Sequence, residues 1–202
     1  MSLHKAVHLS DAKPRENEFY PTPWEVTRGL LQVEGYRIGQ FEKVWEPACG
    51  DGAMSRELSA AGFDIVSTDL VDRGYADRLL DFYQAPRLAP AIVTNPPFSQ
   101  CSQEGKMRWI THAAELGIEY MALLLPAGWS YAQERRKVLR RWPLARVWQV
   151  GWRIDFTEGG QPPSNHAWHI WDRAAPATDS WSTGVIYRDE LTVYPDLFSE
   201  AS

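Results

Sequence analysis

The sequence predicts a doubly wound α/β domain, and three features of its pattern support this fold class. Short apolar segments alternate with stretches of helical spacing along most of the chain. Several of these segments, including Ala-Ile-Val at 91–93 and Met-Ala-Leu-Leu-Leu at 121–125, are apolar on both faces, as strands of a buried parallel sheet are. A glycine or proline follows each helical stretch, which is typical of helix ends. The alternation therefore indicates a mostly parallel sheet covered by helices.

Six strands and three helices are predicted in chain order. The strands are expected at residues 43–46, 64–68, 91–94, 120–125, 145–150 and 168–171. The helices are expected at residues 53–61, at about 104–116 and at 131–142. Gly62 ends the first helix, Gly117 ends the second, and Pro143 stops the third. Ser130 and Gln133 fit a capping box at the start of the third helix.

The length of 202 residues fits one domain with a core large enough to be stable without cross-links. We expect a flexible arm at residues 1–18, the folded domain at 19–173, and a linker with a short tail at 174–202. The tail contains two segments of weak strand character, at 185–187 and 191–194.

Composition and charge exclude several classes of protein. No apolar run approaches the ~18 residues of a membrane span, so no membrane association is expected. Two cysteines are too few for a disulfide framework or a zinc site, so we expect no metal and a reducing, cytoplasmic setting. A formal net charge of −5 excludes a protein that coats nucleic acid by bulk charge, but it allows a local basic patch.

The loop from Glu46 to Gly52, Glu-Pro-Ala-Cys-Gly-Asp-Gly, follows the first strand and opens the first helix, where α/β folds bind ligands. Gly50 and Gly52 allow the backbone to approach a ligand closely. The dinucleotide fingerprint G-x-G-x-x-G is not met, because Ser55 occupies its last position. A tight turn without a ligand is the alternative interpretation.

Two acidic residues follow at positions where a nucleoside could bind. Asp69 comes directly after the second predicted strand, where a carboxylate can accept hydrogen bonds from ribose hydroxyls. Asp81 and Phe82 come after a short stretch predicted as helical and could bind and sandwich an adenine ring. Either carboxylate could instead cap a helix or a turn.

The motif Asn95-Pro96-Pro97-Phe98 stands at the carboxyl end of the third predicted strand, the edge where active sites of such sheets form. The Asn95 amide oxygen and the Pro96 carbonyl both accept hydrogen bonds, and the two prolines hold these acceptors rigidly. Phe98 offers a flat face for a ring. The motif can clamp a planar –NH2 group, because binding both hydrogens draws the nitrogen lone pair out of conjugation and toward an electrophile. Alternatively, the motif serves only as a rigid connection from the strand to the following loop.

Together, Glu-Pro-Ala-Cys-Gly and Asn-Pro-Pro-Phe resemble the motifs of S-adenosylmethionine-dependent amino methyltransferases. The likeness is closest to the adenine-N6 methyltransferases, especially the small phage-type DNA enzymes. Phe-Tyr-Pro-Thr-Pro at 19–23 resembles the amino-terminal cofactor motif of that family. The resemblance covers about residues 18–172 and implies a Rossmann-like class I methyltransferase fold, a mostly parallel doubly wound sheet with an antiparallel last strand.

The resemblance also implies a cofactor, S-adenosylmethionine, and a role for each motif residue. Residues 19–173 would be the catalytic domain. The implied cofactor contacts are Tyr20, Pro21 and Thr22 along the site, Glu46 and Gly50 at the methionine part, Asp69 at the ribose, and Asp81 beside Phe82 at the adenine. The target amine would be held by Asn95, Pro96 and Phe98, with Pro97 completing the catalytic motif.

The resemblance is less specific for the substrate than for the reaction. The clamp begins with Asn rather than the Asp common in DNA-specific members, and the chain has no room for a separate target-recognition domain. Adenine in DNA is the expected target and DNA the expected partner. Adenine in RNA and a protein glutamine remain alternatives, because Asn-Pro-Pro also occurs in resembling enzymes of those kinds. A non-catalytic, nucleic-acid-binding module with the same fold is the alternative of another class.

Further candidate substrate contacts lie downstream. If the family strand order holds, the strand at 145–150 is parallel and points its end at the active site, the strand at 168–171 returns antiparallel, and the loop at 151–167 overhangs the cofactor pocket. In this loop Arg153 and Phe156 suit phosphate contact and stacking on an extruded base. Phe156 could instead pack into the core. Trp129, just after the strand at 120–125, is expected to border the pocket.

Basic residues of the third predicted helix could contact a phosphate backbone. Arg136 and Arg140 share a helix face, so they could follow a nucleic-acid strand, or they could form a solvated outer face. His166 and His169 are three residues apart in a strand and therefore face opposite sides, so they cannot bind one metal ion.

Overall fold

The computed structural model describes residues 18–102, 106–157, 164–176, 178 and 180–191 of the chain. In these residues eight strands form one sheet, and four α-helices accompany it. The strands are β1 (Val44–Glu46), β2 (Ile65–Asp69), β3 (Arg78–Leu79), β4 (Ala91–Thr94), β5 (Tyr120–Pro126), β6 (Arg146–Val150), β7 (His166–Asp172) and β8 (Ser182–Ile186). The α-helices are α1 (Trp24–Ile38), α2 (Ala53–Ala60), α3 (Arg108–Glu115) and α4 (Arg136–Arg141), and short 3-10 helices lie at Phe98–Cys101, Trp129–Tyr131, Gln133–Arg135 and Arg188–Glu190.

The strand order of the sheet is β3-β2-β1-β4-β5-β7-β6-β8. β7 runs antiparallel to both of its neighbours, β5 and β6, and the other paired strands are parallel. The predicted fold class is therefore confirmed: all six predicted strands form, and β7 returns against the rest. The carboxyl ends of the parallel strands lie along one edge of the sheet, together with the beginning of β7.

Both faces of the sheet are buried, as the doubly wound class requires. Along β5, Met121 and Leu123 belong to one apolar cluster, whereas Ala122 and Leu124 belong to the other. The first cluster includes residues of α3 and the second includes residues of α1 and α2. Alternating side chains of a fully apolar strand therefore contact different helix layers, which explains why both faces of β5 are apolar.

α1 is absent from the sequence prediction, because charged residues interrupt its apolar face. Glu34 lies on this face and is only 3% exposed. Its carboxylate accepts hydrogen bonds from the Arg146 guanidinium at 2.6 and 3.0 Å, the Trp148 indole at 2.7 Å and the Tyr120 hydroxyl at 3.1 Å. Partners on distant strands thus satisfy a buried charge that makes the helix look polar on this side.

The sequence pattern also fails to predict two of the strands. β3 has only two residues, which are too few for alternation to be recognised. β8 lies in the segment predicted as linker and tail, and it pairs parallel with β6. The sheet therefore continues past the domain boundary predicted at residue 173, and the weak strand predicted at 185–187 overlaps the end of β8.

The second and third predicted helices are shorter in the structure than in the sequence prediction. Residues 131–142 begin with 3-10 turns, and only Arg136–Arg141 are α-helical. The predicted capping box does not form, because the Ser130 hydroxyl is buried and finds no hydrogen-bond partner in the described part of the chain. α3 begins only at Arg108, because Met107 before it has a left-handed φ of 51°.

Some predicted features lie outside the described residues. These are the arm at 1–17, the start of the second predicted helix at 104–105, the centre of the loop at 158–163, and the tail from 192 onward. Among the helices that the structure describes, none has the length and apolar character needed to cross a membrane.

Candidate active site

A cavity of about 410 Å³ opens at the carboxyl ends of β1, β2 and β4, a size usual for small-molecule sites. It is bounded by the segment before α1, the glycine loop, the residues after β2, β3 and β4, and the start of α3. All the predicted cofactor residues line it: Tyr20, Pro21, Thr22, Glu46, Gly50, Asp69, Asp81 and Phe82. The clamp motif contributes Asn95 and Pro97 to the lining, whereas Pro96 is buried beside them and Phe98 lies outside.

The glycine loop requires its two glycines for steric reasons. Gly50 and Gly52 have φ angles of +58° and +83°, which residues with a side chain rarely adopt. A Cβ at Gly50 would lie 2.5 Å from the Phe19 ring, and one at Gly52 would lie 2.2 Å from the Tyr75 ring. Two aromatic rings therefore hold the loop against the cavity, and only glycine fits beneath them.

Asp69 ends β2 and connects several parts of the cavity wall. Its carboxylate accepts hydrogen bonds from the backbone N–H groups of Gly50 at 2.7 Å and Val71 at 2.8 Å. The Arg73 guanidinium lies 3.3 Å from the same carboxylate and also covers the Phe19 ring at 4.4 Å. Asp69 is therefore both a wall of the cavity and a support for the glycine loop.

Glu46 ends β1 and is 2% exposed. Its carboxylate accepts a hydrogen bond from the Ser55 hydroxyl, which lies 2.7 Å from the hydroxyl of Ser67. Burial raises the pKa of Glu46 to about 8, although the hydrogen bond from Ser55 opposes the rise. A cationic group of a ligand placed beside Glu46 would favour its charged form.

The part of the cavity after β3 is aromatic. The Phe82 ring stacks on Trp109 with centroids 4.1 Å apart, and the Arg108 guanidinium covers the Tyr83 ring at 3.8 Å. The Asp81 carboxylate accepts a hydrogen bond from the Tyr83 backbone N–H at 2.9 Å, so it caps a turn while lining the cavity. Tyr83, Arg108 and Trp109 also line the cavity and were not predicted, because no local motif marks them and only the fold brings α3 to this wall.

Asn95 directly follows β4 and is held by the segment before α1. Its Nδ2 donates hydrogen bonds to the Tyr20 carbonyl oxygen at 3.2 Å and to Thr22 Oγ1 at 3.1 Å. A backbone carbonyl can only accept, so the amide nitrogen must face it. Asn95 Oδ1 is buried and has no hydrogen-bond partner within the described residues. A buried acceptor in this state is costly, and an N–H group of a ligand would satisfy it.

Phe98 belongs to an aromatic cluster next to this site. Its ring centroid lies 5.4 Å from that of His166, which in turn lies 4.9 Å from Phe156. Phe156 is half-buried and also contacts Tyr20, with centroids 6.2 Å apart. His166 was not among the predicted site residues. Burial lowers the pKa of His166 to about 4, so its ring is neutral at neutral pH.

Trp129 and Arg153 are placed away from the cavity. Trp129, expected at the pocket border, is 5% exposed, and its indole N–H donates to the Cys101 carbonyl at 2.7 Å. Its ring packs edge-on against Trp171 and His169, so apolar burial with a satisfied N–H places it in the core. His169 thus faces this cluster and His166 faces Phe98, on opposite sides of β7 as predicted. Arg153 is exposed.

Arg136 and Arg140 do not line the cavity either. Both are exposed on α4 and border a shallow groove with Lys137 and Arg141. Four cations on one short helix form a local positive surface, although the chain as a whole carries a net charge of −5.

In the ranges that the structure describes, no group of three His, Cys, Asp or Glu side chains is arranged to hold a metal ion. Burial raises the pKa of the Cys49 thiol to about 12 and raises that of Cys101 as well, so neither is a thiolate at neutral pH.

No protein-family model matches the sequence, and no curated protein matches it significantly. Solved structures do resemble the fold. A proposed RNA methyltransferase from Pyrococcus horikoshii superimposes with a TM-score of 0.61 at 15% identity, over 82% of this chain and 92% of the other. A proposed class I S-adenosylmethionine-dependent methyltransferase from Listeria monocytogenes gives 0.56 at 13% identity, over 82% of this chain and 65% of the other.

A third similar structure is the modification subunit of a proposed type I restriction enzyme from Vibrio vulnificus. It gives a TM-score of 0.52 at 15% identity, over 78% of this chain and 45% of the other. At these identities the likeness shows the fold alone. The chain therefore has the class I methyltransferase fold, and its cavity lies at the carboxyl edge where such folds bind their ligands.

Proposed function

We propose that this protein is an S-adenosylmethionine-dependent methyltransferase that methylates an exocyclic amino group, with adenine N6 in DNA as its target. The observation that carries the proposal is the state of Asn95. Its amide is oriented by two hydrogen bonds, and its Oδ1 is a buried acceptor without a partner in the described chain. An amino group is a donor of the kind that this acceptor lacks.

The cavity residues fit the proposed cofactor. S-adenosylmethionine supplies an electrophilic methyl group, which passes directly to a nucleophile. Asp69 lines the cavity and would accept a hydrogen bond from a ribose hydroxyl, and the wall formed by Phe82 and Trp109 suits an adenine ring. The buried carboxyl of Glu46 suits an ammonium group. The cavity of about 410 Å³ lies in the range of sites for ligands of this size.

The chain contributes positioning and electrostatics to the reaction. Asn95 Oδ1 and the Pro96 carbonyl would each accept one hydrogen of the target amine, which turns the nitrogen lone pair out of the ring system. Because both acceptors are fixed before the substrate arrives, little reorganisation is needed during the reaction. Asn95 does not ionise at neutral pH, so the amine proton leaves after the new bond has formed.

A nucleobase is favoured over a glutamine side chain by the aromatic surroundings of Asn95. Phe98 of the clamp motif and Phe156 from a distant part of the sequence both contact His166, so an aromatic cluster adjoins the clamp. The cations of α4 could bind phosphates. Two of the structures that share the fold are described as acting on RNA and as part of a restriction enzyme, which agrees with a nucleic-acid target.

The proposal is tested by offering labelled S-adenosylmethionine with unmethylated DNA, with RNA and with total protein in parallel. We expect label in DNA. Label only in RNA would identify RNA as the substrate. Label only in protein would favour a protein glutamine as the target. Binding of the cofactor without transfer to any of the three would instead favour the non-catalytic, nucleic-acid-binding module.

A further inference from the structure

The segment before α1 contacts the catalytic motif as well as the cavity. Thr22 is 6% exposed, lines the cavity and accepts a hydrogen bond from Asn95 Nδ2 at 3.1 Å. The Tyr20 carbonyl accepts the second Nδ2 hydrogen at 3.2 Å. Nearby, the Ser99 backbone N–H donates to the Glu18 carboxylate at 3.0 Å. The segment thus contacts Asn95, which begins the motif, and Ser99, which directly follows it.

The two contacts to Nδ2 determine what Asn95 can recognise. With the nitrogen turned toward Tyr20 and Thr22, the free atom of the amide is the acceptor Oδ1. If the amide rotated by half a turn, it would present N–H donors to the substrate. The N–H donors of an amine would then face the N–H donors of Asn95, and no hydrogen bond could form between them.

We infer that Thr22 is a positioning residue that, together with the Tyr20 carbonyl, locks the Asn95 amide in the orientation that selects an amino group. This inference rests on the proposed function for its catalytic consequence, but the contact itself belongs to the free protein. It gives Thr22 a role beyond lining the cofactor cavity.

The same geometry explains why this chain uses Asn rather than Asp at position 95. In an Asn95→Asp variant, one carboxylate oxygen would replace Nδ2 and face the Tyr20 carbonyl oxygen at about the same separation. Two acceptors at hydrogen-bond distance repel each other unless the carboxyl is protonated. Thr22 can rotate its hydroxyl to donate, but the carbonyl cannot change its role.

The first test needs no cofactor or substrate. Side-chain amide hydrogen exchange of Asn95 can be followed by NMR, with its resonances assigned by their loss in Asn95→Ala. We expect slow exchange in the wild type, about tenfold faster exchange in Thr22→Val, and slow exchange again in Thr22→Ser, which restores the hydroxyl. Equal exchange in all three proteins would overturn the inference.

The second test separates positioning from cofactor binding. We expect Thr22→Val to lower kcat about tenfold at saturating S-adenosylmethionine, and Thr22→Ser to recover most of the turnover. Because Thr22 lines the cofactor cavity, the Kd for S-adenosylmethionine is measured separately for each variant. Asn95→Asp should lose more activity than Thr22→Val, because the carbonyl contact becomes repulsive. A weaker Kd with unchanged kcat would make Thr22 a cofactor contact only and would overturn the inference. Absence of turnover in the wild type would refute the proposed function, and the exchange measurement would still decide the role of Thr22.

Discussion

The Asp69 carboxylate accepts a hydrogen bond from the Gly50 backbone N–H at 2.7 Å, and this contact joins the end of β2 to the glycine loop. Val71 N–H and the Arg73 guanidinium bind the other carboxylate oxygen. A carboxylate offers about four acceptor positions, so three are in use and about one remains for a ribose hydroxyl. The ribose contact expected for Asp69 therefore uses a group that the loop already holds in place.

Replacing Asp69 with Ala should lower the affinity for S-adenosylmethionine about ten- to a hundredfold. Loss of a charged hydrogen-bond acceptor costs roughly 1.5–3 kcal/mol, and loosening of the glycine loop adds to the effect. Asp69→Asn, which keeps one oxygen acceptor, should lose less. Calorimetric titration measures the affinities, and thermal unfolding of the free proteins checks that the fold persists. An unchanged affinity in Asp69→Ala would refute the ribose assignment.

Replacing Asn95 with Ala should lower turnover about a hundredfold or more and leave cofactor affinity nearly unchanged. The expected size follows from the removal of one preorganised polar contact to a transition state. Steady-state kinetics at saturating substrate, with the cofactor Kd measured separately, provides the comparison. Wild-type turnover in Asn95→Ala would show that the amine is held by other groups.

Phe98→Ala should weaken binding of the target ring by about 1–3 kcal/mol if the ring stacks on the base. Phe98 also contacts His166, so part of any loss could reflect the aromatic cluster rather than the substrate. Phe98→Leu serves as a control because it keeps apolar volume without the aromatic face. Equal KM values for wild type and both variants would argue against stacking on Phe98.

Cofactor binding should release a proton from Glu46 near neutral pH. Burial raises the pKa of this carboxyl to about 8, so it is mostly protonated at pH 7 in the free protein. An ammonium group placed beside it favours the carboxylate, so affinity should rise with pH between 6 and 7. That range lies below the ordinary pKa of an α-amino group, about 7.7–8.0, so the cofactor stays cationic.

Calorimetry in buffers of different ionisation enthalpy measures the released proton. We expect release of up to about one proton in the wild type and none in Glu46→Gln, which cannot ionise. Release of the same size in both proteins would assign the proton to another group.

The double variant Arg136→Ala with Arg140→Ala should weaken DNA binding for all sequences. Each lost phosphate contact lowers the slope of log K against log salt by about 0.9, so the slope should fall by up to about 2. Lys43→Ala with Arg87→Ala is a control that removes the same charge elsewhere on the chain. Lys43 lies just before β1 and pairs with Asp64, and Arg87 pairs with Glu119, which lies just before β5. Equal salt slopes in the two double variants would mean that α4 does not contact the backbone.

The fold could be predicted because its strands carry strong local signals. β4 and β5 are apolar on both faces, and the burial of both faces in the structure accounts for that composition. α1 could not be predicted because Glu34 looks solvent-exposed until Arg146 and Trp148 pack against it. Such pairings join residues that are far apart in the sequence, so hydrophobic periodicity cannot indicate them.

In the candidate site, too, contiguous motifs can be predicted from the sequence, whereas contacts between distant residues cannot. The glycine loop and the Asn-Pro-Pro-Phe motif are contiguous, so the sequence predicts them as units. The hydrogen bond from Asn95 to Thr22 and the stacking of Phe82 on Trp109 depend on the fold, and no local pattern indicates either. Trp129 shows the opposite error: its position after β5 suggested the pocket, but the bond from its indole N–H to Cys101 places it in the core.

The proposed role of Asn95, which is to present an amino group to the methyl donor, predicts both the methylated product and its dependence on this residue. Unmethylated DNA is incubated with S-adenosylmethionine and either the wild type or Asn95→Ala, and the nucleosides are then identified by mass spectrometry. We expect N6-methyladenine with the wild-type protein and about a hundredfold less with the variant. Equal methylation by both proteins, or a methylated carbon or oxygen in place of an amine, would contradict the proposed role.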